Sequence, residues 1–472
     1  MNQSQGVRSL REDERSLLHE ILEKTGINPV ILALRNIGAQ VYCVGGAVRD
    51  LLLGQVAQDV DIEVHAIDEE ILISVLSQFG SVGLQGKSFG VFRIASFDID
   101  WSLPRSDGPG RRPVVTLDPY MGIVTALLRR DVTMNALAID LFSMTLIDPY
   151  GGERDLSEGS LRAVSADTFI EDPLRFYRVM QFVARFAMTP DSQLNELCSN
   201  IDLTGVARER VEKEFEKMFL LASTPSAGIR WIAKIGRLNE LYPELGMLIG
   251  IPQNPKWHPE GDVFEHTMQV LDAVALDASG SDQERIVLSY AALCHDMGKA
   301  LTTKQHRNDG RLISYGHESA GIPLAQSFLG RITRTTLYSK QVLRLVEYHM
   351  RPCAFVEGSA GAFAYRRLAY YMQPMSLRFL ARFARADKRG RNGLQQSPLL
   401  ESVLCVDIFE DRAFQYGVLD GPIKPIVSGN DLLVAGVDPR QIGVLLQRAY
   451  WYQLSCEHCS RLDILRAIGV KG

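Results

Sequence analysis

The spacing of apolar positions changes along this 472-residue chain and divides it into two parts. Before about residue 140, short segments rich in Val, Ile and Phe alternate with helix-like segments, which predicts an α/β fold. After Asp167, apolar residues recur every three or four positions, as in DPLRFYRVMQFVARFAM (172–188), which predicts amphipathic helices. The pattern therefore predicts an α/β head followed by a long helical body.

Individual elements of the head follow from the same pattern. The predicted strands are AQVYCVGG, VDIEVHA, GVFRIASFDIDWSL, NALAIDLFS and TLIDPY. The predicted helices are GAVRDLLLG and DEEILISVLSQFG, and the second is expected to end at Gly80. Segment 104–120 is rich in Gly, Pro and Arg, which predicts a mobile loop. Proline-rich breaks at 251–259 and 421–425 indicate boundaries within the body.

Composition changes this picture little. The chain is 46% hydrophobic and 23% charged with a net charge of −5, and its apolar runs fall short of the roughly 18 residues of a membrane span. We therefore expect a cytoplasmic protein without a membrane partner. Seven scattered cysteines predict reduced thiols rather than a disulfide framework. Cys456 and Cys459 have the spacing of half a zinc site, but without a second pair nearby two packing or surface thiols are favoured.

One run of basic residues stands out against the negative net charge. Segment 378–391 (RFLARFARADKRGR) carries six Lys or Arg residues and a single Asp. Such a run is compatible with phosphate contacts. A solvated helix face is the simpler interpretation, and for one isolated run we favour it.

Gly45 and Gly46 open a segment in which phosphate-binding and metal-binding residue types follow one another. Adjacent glycines allow a tight strand-to-helix turn whose N–H groups can face a triphosphate, and Arg49 adds a positive charge one turn later. Asp59 and Asp61 are two apart, so on a strand both carboxylates project to one face, as Mg²⁺ requires. Each feature alone is also typical of an ordinary turn or an edge strand. Together they predict a metal-dependent nucleotide site.

Segment 45–64 (GGAVRDLLLGQVAQDVDIEV) resembles the first signature of the tRNA nucleotidyltransferase and poly(A) polymerase family, in its bacterial and eukaryotic class. Four further segments resemble that family's signatures in the same order: LLRRDVTMNALAID, IDPYGGERDL, EDPLRFYRVMQFVARF and ARERVEKEF. The resemblance covers most of the chain and is strongest from 41 to 220. It implies the family's fold and its chemistry, nucleotidyl transfer to an RNA 3′ end.

The resemblance also implies roles for the matched residues. Asp59 and Asp61 would bind two Mg²⁺ ions that activate the RNA 3′-hydroxyl and neutralise the α-phosphate, with Asp100 as a third catalytic carboxylate. Asp172 and Arg175, three apart on a helix, would read the Watson–Crick edge of cytosine or adenine in place of a template, and a surface salt bridge is the alternative. The implied nucleotide-binding residues are Gly45, Gly46, Arg49, Arg130, Asp131, Asn135, Asp172, Arg175 and Arg178.

An ordered series of histidines and aspartates in the body resembles the HD phosphohydrolase superfamily. Imidazole and carboxylate ligands on packed helices suit a transition metal or a dinuclear hydrolytic centre. The predicted ligands are His266, His295, Asp296, His317, His349 and Asp387, and the predicted ion is divalent Ni, Mn, Co, Fe or Zn. His258 and His306 have no clear place in the series. By resemblance, the site would hydrolyse phosphoesters such as 2′,3′-cyclic or 2′-phosphate ends with a metal-bound water.

These observations lead to one fold and one leading function. The predicted fold class is a multidomain α+β protein, with a nucleotidyltransferase head containing a small mixed sheet (1–150), an all-α neck (151–250), an HD domain (251–400) and a helical tail (401–472). The predicted function is template-independent addition of CCA to tRNA from CTP and ATP, with no DNA partner. The alternatives are a CC-adding, A-adding or poly(A) polymerase relative, and an HD phosphohydrolase whose head only binds RNA.

Overall fold

The computed structural model describes residues 6–57, 59–85, 90–97, 99–107, 115–395, 397–456 and 458–470. The chain forms two compact units, Met1–Arg210 and Val211–Gly472. The predicted fold class, a nucleotidyltransferase head with a small mixed sheet followed by helices, is confirmed. The division into four domains stays a prediction, and the boundary between the two units falls inside the predicted neck.

The first unit combines short strands with short helices. In chain order its elements are β1 (Val7–Ser9), α1 (Glu12–Thr25), α2 (Asn28–Asn36), β2 (Gln40–Val44), α3 (Gly46–Leu52), β3 (Asp61–His65), α4 (Glu69–Leu76), β4 (Val82–Gln85), β5 (Val91–Ile94), β6 (Asp100–Ser102), β7 (Arg105–Asp107), β8 (Val115–Leu117), α5 (Ile123–Leu128), a 3-10 turn (Thr133–Asn135), β9 (Ala138–Asp140), β10 (Thr145–Ile147), α6 (Gly152–Glu158), β11 (Ser160–Leu161), α7 (Ala166–Glu171), α8 (Leu174–Phe186), β12 (Thr189–Pro190) and α9 (Ser192–Asn200).

Eight of these strands form one mixed sheet in the order β1-β10-β9-β2-β3-β6-β5-β4. Among the described pairings of this sheet, only β3–β6 is parallel, and it aligns Asp61 with Asp100. The alternate residues Ile62 and Val64 of β3 are fully buried, as is Trp101 of β6, so one face of these strands packs into the core. The opposite face at this point of the sheet presents the acidic side chains.

Two predicted elements of the head differ from the observed ones. The predicted strand GVFRIASFDIDWSL is two antiparallel strands, β5 and β6, joined through a turn after Ile94. Helix α4 ends at Leu76 rather than at Gly80, because the Gln78 and Phe79 N–H groups bond three residues back, to Val75 and Leu76. Such tightened last turns are common at helix ends. The hydrophobic pattern continues past Leu76, so the sequence did not indicate where the helix ends.

The predicted loop at 104–120 contains a short antiparallel pair. Strand β7 pairs with β8, aligning Arg105 with Leu117. Residues 108–114, on which most of the loop prediction rests, lie outside the described residues.

The second unit is nearly all helix. In chain order its elements are α10 (Arg208–Leu221, which begins three residues before the unit), α11 (Ser226–Lys234), α12 (Leu238–Leu241), α13 (Pro243–Gly246), α14 (Val263–Ala275), α15 (Asp282–Cys294), α16 (Lys299–Thr302), β13 (Lys304–Gln305), β14 (Leu312–Ile313), α17 (His317–Ile332), α18 (Thr336–Tyr348), α19 (Arg351–Glu357), α20 (Ala362–Met372), α21 (Leu377–Arg389), α22 (Leu404–Gln415), α23 (Gly429–Val434), α24 (Pro439–Ser455) and α25 (Arg461–Ala467). No helix within the described ranges is long and apolar enough to cross a bilayer.

One disulfide corrects the expectation of reduced thiols throughout. Cys353 of α19 and Cys405 of α22 are bonded, with their Cα atoms 5.1 Å apart. The two helices pack directly against each other, which brings together cysteines 52 positions apart in the chain. Cys456 and Cys459 are free thiols, and Cys459 packs against the small hydrophobic core of the tail.

Candidate active sites

Two carboxylates lie side by side at the start of neighbouring strands in the head's sheet, and a third precedes one of these strands. Asp61 is the first residue of β3, and Asp100, the first residue of β6, lies directly across from it. Asp59 is exposed and precedes the strand, so the predicted strand carries only the second carboxylate of the DxD pair. Arg93 donates to Asp100. The oxygens of these three carboxylates do not all lie within 4.8 Å of one another. Potential metal ligands elsewhere in the described chain do meet that distance.

The surroundings of Asp61 fit a cation. Burial raises its pKa, the charge of Arg130 opposes that rise, and the neighbouring carboxylates Asp100, Asp59 and Glu63 raise it further. A cluster of acidic groups that disfavours its own ionisation is stabilised when a divalent ion neutralises it. These residues are therefore suited to hold Mg²⁺ at this edge of the sheet.

Gly45 makes the turn between β2 and α3 in a backbone conformation that favours glycine. Its φ of +71° lies in the left-handed region, and a Cβ atom there would stand 3.1 Å from Nη1 of Arg130. Gly46 then opens the helix. The guanidinium of Arg130 therefore lies directly against the turn that the sequence predicts to face a triphosphate.

Glu63 is a functional candidate that the sequence analysis missed. Its side chain is 1% exposed, it accepts from His65 Nε2 at 3.0 Å, and its other oxygen lies 3.7 Å from both Arg129 and Arg130. Burial alone would raise its pKa, but His65 and the two arginines outweigh that and lower it. Glu63 follows Asp61 by two strand positions, so alternation along β3 was the signal that could have found it.

Four of the predicted nucleotide-binding residues form a buried network instead of an open surface. Arg49 Nη1 donates to Asn135 Oδ1 at 2.7 Å, and Asn135 Nδ2 donates to Asp131 at 3.1 Å. Arg178 Nε donates to Asp131 at 2.5 Å. Arg49 also bonds Asp50 and lies 4.5 Å from the ring centre of Phe186. In this state the network positions α3 and α8 around the 3-10 turn.

Asp172 and Arg175 do not share a helix face as predicted. Helix α7 ends at Glu171 and α8 begins at Leu174, with Pro173 between, because the residue before a proline is disfavoured in helix. Asp172 accepts from the N–H of Leu174 and from Arg210 at 2.9 Å, whereas Arg175 donates to the carbonyls of Thr168 and Arg129. The alternative of a salt bridge between the two is not observed. Both residues are half-buried, and Arg175 lies beside Arg129.

The six predicted HD ligands converge from five helices and their ends. His266 lies on α14, His295 and Asp296 follow α15, His317 begins α17, His349 ends α18 and Asp387 lies on α21. His266 Nε2 is 3.0 Å from Asp387 Oδ1, while Asp296 Oδ2 lies 3.3 Å from His295 Nε2 and its Oδ1 lies 3.3 Å from His317 Nε2. Asp296 is therefore the shared centre of two ligand groups, one with His266 and His295 and one with His317 and His349.

Unsatisfied buried atoms in this cluster fit metal ions. His295 Nε2 and both oxygens of Asp296 are buried without a hydrogen bond of good geometry, although Lys299 Nζ stands 2.6 Å from Asp296. Burial and the nearby imidazoles of His295 and His317 lower the pKa of His349 to about 3, so its nitrogen is neutral and can bind metal at neutral pH. Burial opposes ionisation of Asp296, but Lys299 and His295 outweigh it and keep its pKa well below the usual range.

Comparison with known proteins matches the two domains that contain the candidate sites. The Poly A polymerase head domain matches residues 41–162, and the HD domain matches 263–408. A multifunctional CCA protein of Pasteurella multocida is 35% identical over 374 residues, covering 76% of this chain and 85% of that protein. A multifunctional CCA protein of Shewanella denitrificans is 32% identical over 420 residues, covering 84% of this chain and 97% of that protein. The chain belongs to the multifunctional CCA protein family.

Solved structures share the fold of this family member. The Thermotoga maritima CCA-adding enzyme complexed with tRNA_CCA superposes with a TM-score of 0.58 at 18% identity, covering 98% of each chain. The Bacillus stearothermophilus CCA-adding enzyme in complex with CTP superposes with a TM-score of 0.60 at 20% identity, covering 94% of this chain and 93% of that one. The prediction of an enzyme, a tRNA nucleotidyltransferase with an HD domain, is confirmed by the family. Both domain types are metal-dependent.

Around the HD ligands, this family member carries supporting residues that the sequence analysis left out. Glu260 has a fully buried side chain whose Oε1 lies 2.8 Å from His266 Nδ1 and 2.9 Å from His258 Nδ1. His258, without a place in the sequence series, thus lies behind a predicted ligand. His306 instead pairs with Asp309 in an exposed hairpin. The Pro-rich segment before α14 gave no periodic signal for Glu260, because its position depends on the fold of 251–262.

Proposed function

We propose that the chain adds CCA to the 3′ end of tRNA from CTP and ATP. The observation that carries this proposal is the juxtaposition of acidic residues with Arg130 and the Gly45 turn at one sheet edge of the head. Membership of the multifunctional CCA protein family supports it, as do structural neighbours described as complexes with tRNA, CTP and ATP.

Each group at the head would have a distinct task. Asp59, Asp61 and Asp100 would hold Mg²⁺, which when bound supplies the positive charge that a transferring α-phosphate and an attacking 3′-hydroxyl require. Arg130, held against Gly45, would place its guanidinium beside the triphosphate, and Glu63 would fix that arginine from behind. The chain's own work is to orient the nucleotide and the RNA terminus in line.

Base selection would come from Asp172 and Arg175. The carboxylate accepts hydrogen bonds and the guanidinium donates them, so the pair can match cytosine or adenine edges. In the structure Asp172 is held by Arg210 and Arg175 by two backbone carbonyls. Binding of a nucleotide base would replace part of these contacts.

Addition to a tRNA lacking its terminal CCA tests the proposal. With CTP and ATP the product should gain three nucleotides, and Asp61→Asn should abolish addition, while the exposed Asp68→Asn serves as the matched control. CTP alone, ATP alone and both together distinguish CCA addition from CC addition, A addition and poly(A) synthesis. Undiminished addition by Asp61→Asn would contradict the role given to this carboxylate.

For the HD domain we propose phosphoester hydrolysis. His266, His295, Asp296 and Asp387 would hold one divalent transition metal, and Asp296, His317 and His349 a second. Such ions when bound supply a nucleophilic water at neutral pH. Lys299 Nζ lies 2.6 Å from Asp296 and would add a positive charge beside a bound phosphoester. Terminal 2′,3′-cyclic or 2′-phosphates are the substrates we would try first.

The hydrolase proposal is tested independently of nucleotide addition. Asp296→Asn should abolish hydrolysis of a 2′,3′-cyclic phosphate end while leaving CCA addition intact, and the exposed Asp282→Asn is its matched control. Loss of both activities in Asp296→Asn would contradict the assignment of separate sites. The same assays with Ni²⁺, Mn²⁺, Co²⁺, Fe²⁺ and Zn²⁺ would identify the ion.

A further inference from the structure

A cleft in the second unit belongs to neither active site. It has a volume of about 510 Å³ and lies between α20, α24 and the loop 421–425. Its wall contains aromatic, amide and basic side chains: Tyr370, Gln373, Lys424, Gln447, Tyr450 and Trp451. None of these belongs to the HD ligand groups.

The aromatic side of the cleft is a fixed cluster of rings. The ring centre of Tyr370 lies 5.5 Å from that of Tyr450 and 5.4 Å from that of Trp451. Tyr371 adds a second contact to Trp451 at 5.9 Å. Interlocked rings of this kind leave a half-exposed aromatic surface that a flat, apolar group can cover.

The opposite side of the cleft is anchored to the same helix. The Tyr450 hydroxyl donates to the Ile423 carbonyl at 2.7 Å. The buried Gln453 side chain donates to the Lys424 carbonyl at 2.8 Å and accepts from the Ile426 N–H at 2.9 Å. Helix α24 therefore holds the proline-rich loop in place, and the cleft is built without a ligand.

The segments that form the cleft carry basic but no acidic residues. Segments 361–375, 421–427 and 439–456 contain no Asp or Glu, and their basic residues are Arg366, Arg367, Lys424, Arg440 and Arg448. Within the described chain none of these five makes an ion pair with a carboxylate. The contrast with α21 is sharp, because Arg378, Arg382 and Arg385 of its basic run each pair with acidic side chains. Of these five, Lys424 lines the cleft and is exposed, so the cleft presents a positive charge without a carboxylate partner among the described residues, on a protein of net charge −5.

We propose that this cleft binds one unpaired nucleotide of the RNA substrate, with its base on Trp451 and Tyr370 and its phosphate near Lys424. Aromatic rings that stack a base, bordered by cations that attract the backbone, are the general form of a single-stranded RNA contact. Gln373 and Gln447 supply amide donors and acceptors at the rim. The inference rests on the proposed function, since it takes tRNA as the substrate, and it adds a contact remote from the reacting 3′ end.

Binding of a tRNA lacking CCA tests the cleft. Trp451→Ala should weaken binding roughly tenfold, whereas Trp451→Phe, which keeps a stacking ring, should stay close to the unchanged chain. Lys424 is exposed, so Lys424→Glu should leave folding intact, weaken binding and reduce the salt slope of log K by about one. Arg378→Ala, which removes a cation already paired with Asp420, is the matched control and should have no effect.

Kinetics separate this inference from the proposed function. In CTP addition at saturating CTP, Trp451→Ala should raise KM for tRNA and leave kcat unchanged. If the unchanged chain adds no nucleotide, the proposed function fails. If it does add nucleotides but Trp451→Ala and Lys424→Glu both bind tRNA as tightly as the unchanged chain, only the cleft proposal is overturned.

Discussion

At the residue scale, Glu63 illustrates how a carboxylate can serve a site without facing the substrate. It is buried beside His65 and within 3.7 Å of two arginines, one of which lies against Gly45. A buried charge of this kind persists only when it is paired, so the glutamate and the arginines fix one another. The arrangement predicts a positioning role for Glu63.

We expect Glu63→Gln to weaken CTP use without abolishing transfer. The amide keeps the volume but loses the charge that holds Arg129 and Arg130, so kcat/KM for CTP should fall by roughly tenfold, about 1.4 kcal/mol of transition-state stabilisation. Glu70→Gln, an exposed change on α4, is the control. Steady-state kinetics at saturating tRNA measure the effect, and a kcat/KM equal to that of the control would contradict the role.

Glu260 has the equivalent position behind the HD site. Its carboxylate contacts Nδ1 of His266, whose Nε2 faces Asp387 and Asp296, and a carboxylate in that place orients a ligating imidazole. We expect Glu260→Gln to lower affinity for Mn²⁺ by about 10- to 100-fold, measured by isothermal titration of the metal-free protein. The half-exposed Glu347→Gln on α18, which removes only a surface pair with Arg344, should bind Mn²⁺ unchanged. Equal affinities in the two variants would refute this prediction.

At the scale of elements, an ion pair joins α8 to the residues around the 3-10 turn. Burial alone would raise the pKa of Asp131, but the charge of Arg178 and hydrogen bonds from Asn135 and the Val132 N–H outweigh it. The pKa of Asp131 therefore falls from 3.8 to about 2. A carboxylate with a lowered folded pKa stabilises the fold above its unfolded pKa and loses that contribution as the pH falls toward the folded value.

Asp131→Asn should consequently destabilise the first unit in a pH-dependent way. At pH 7 the loss in free energy of unfolding should be about 2 kcal/mol, and it should shrink as the pH falls from about 4 to about 2. Urea titrations across that range measure it, with the exposed Asp167→Asn as control. A loss that stays constant down to pH 2 would show that the ion pair is not its source.

The basic run of α21 belongs to this scale as well. Arg382 bonds Asp277 and Glu284, and Arg385 bonds Asp407 and Glu410, so the run fastens α21 to neighbouring segments. The sequence favoured a solvated helix face, but Arg382 and Arg385 are largely buried and ion-paired. The charges within the segment could not reveal the acidic partners of Arg382 and Arg385, because these partners lie 22 to 105 positions away in the sequence.

At the scale of the whole molecule, the chain contains two domain types that are each metal-dependent, a Poly A polymerase head domain and an HD domain. A ligand that binds only the folded state stabilises the unit that holds it, by about 2.7 kcal/mol at one hundred times its dissociation constant. We expect Mn²⁺ to slow hydrogen exchange in peptides from 263–294 of the second unit. Asp296→Asn should remove this protection, whereas Asp61→Asn should retain it. Protection that survives in Asp296→Asn would place the ion elsewhere.

The sequence by itself determined the chemistry and the order of the parts. Gly45, Asp59, Asp61 and the HD series could be proposed as site residues because phosphate and metal binding require particular residue types at short spacing or in a fixed order. Hydrophobic periodicity likewise gave the change from mixed sheet to helices, since burial of one face imposes a period of two or of 3.6. The sequence predicted the ends of helices less well, as the early end of α4 and the break at Pro173 show.

Only the tertiary structure decided which distant residues meet. Glu63 with Arg130, Glu260 with His266, Cys353 with Cys405 and the rings beside Lys424 are pairings between segments that no local pattern connects. Their physical reason is packing: helices and strands that bury apolar faces bring their polar side chains together as a consequence. Pairing, burial and charge compensation are therefore properties of the folded chain, whereas residue types and spacing are properties of the sequence.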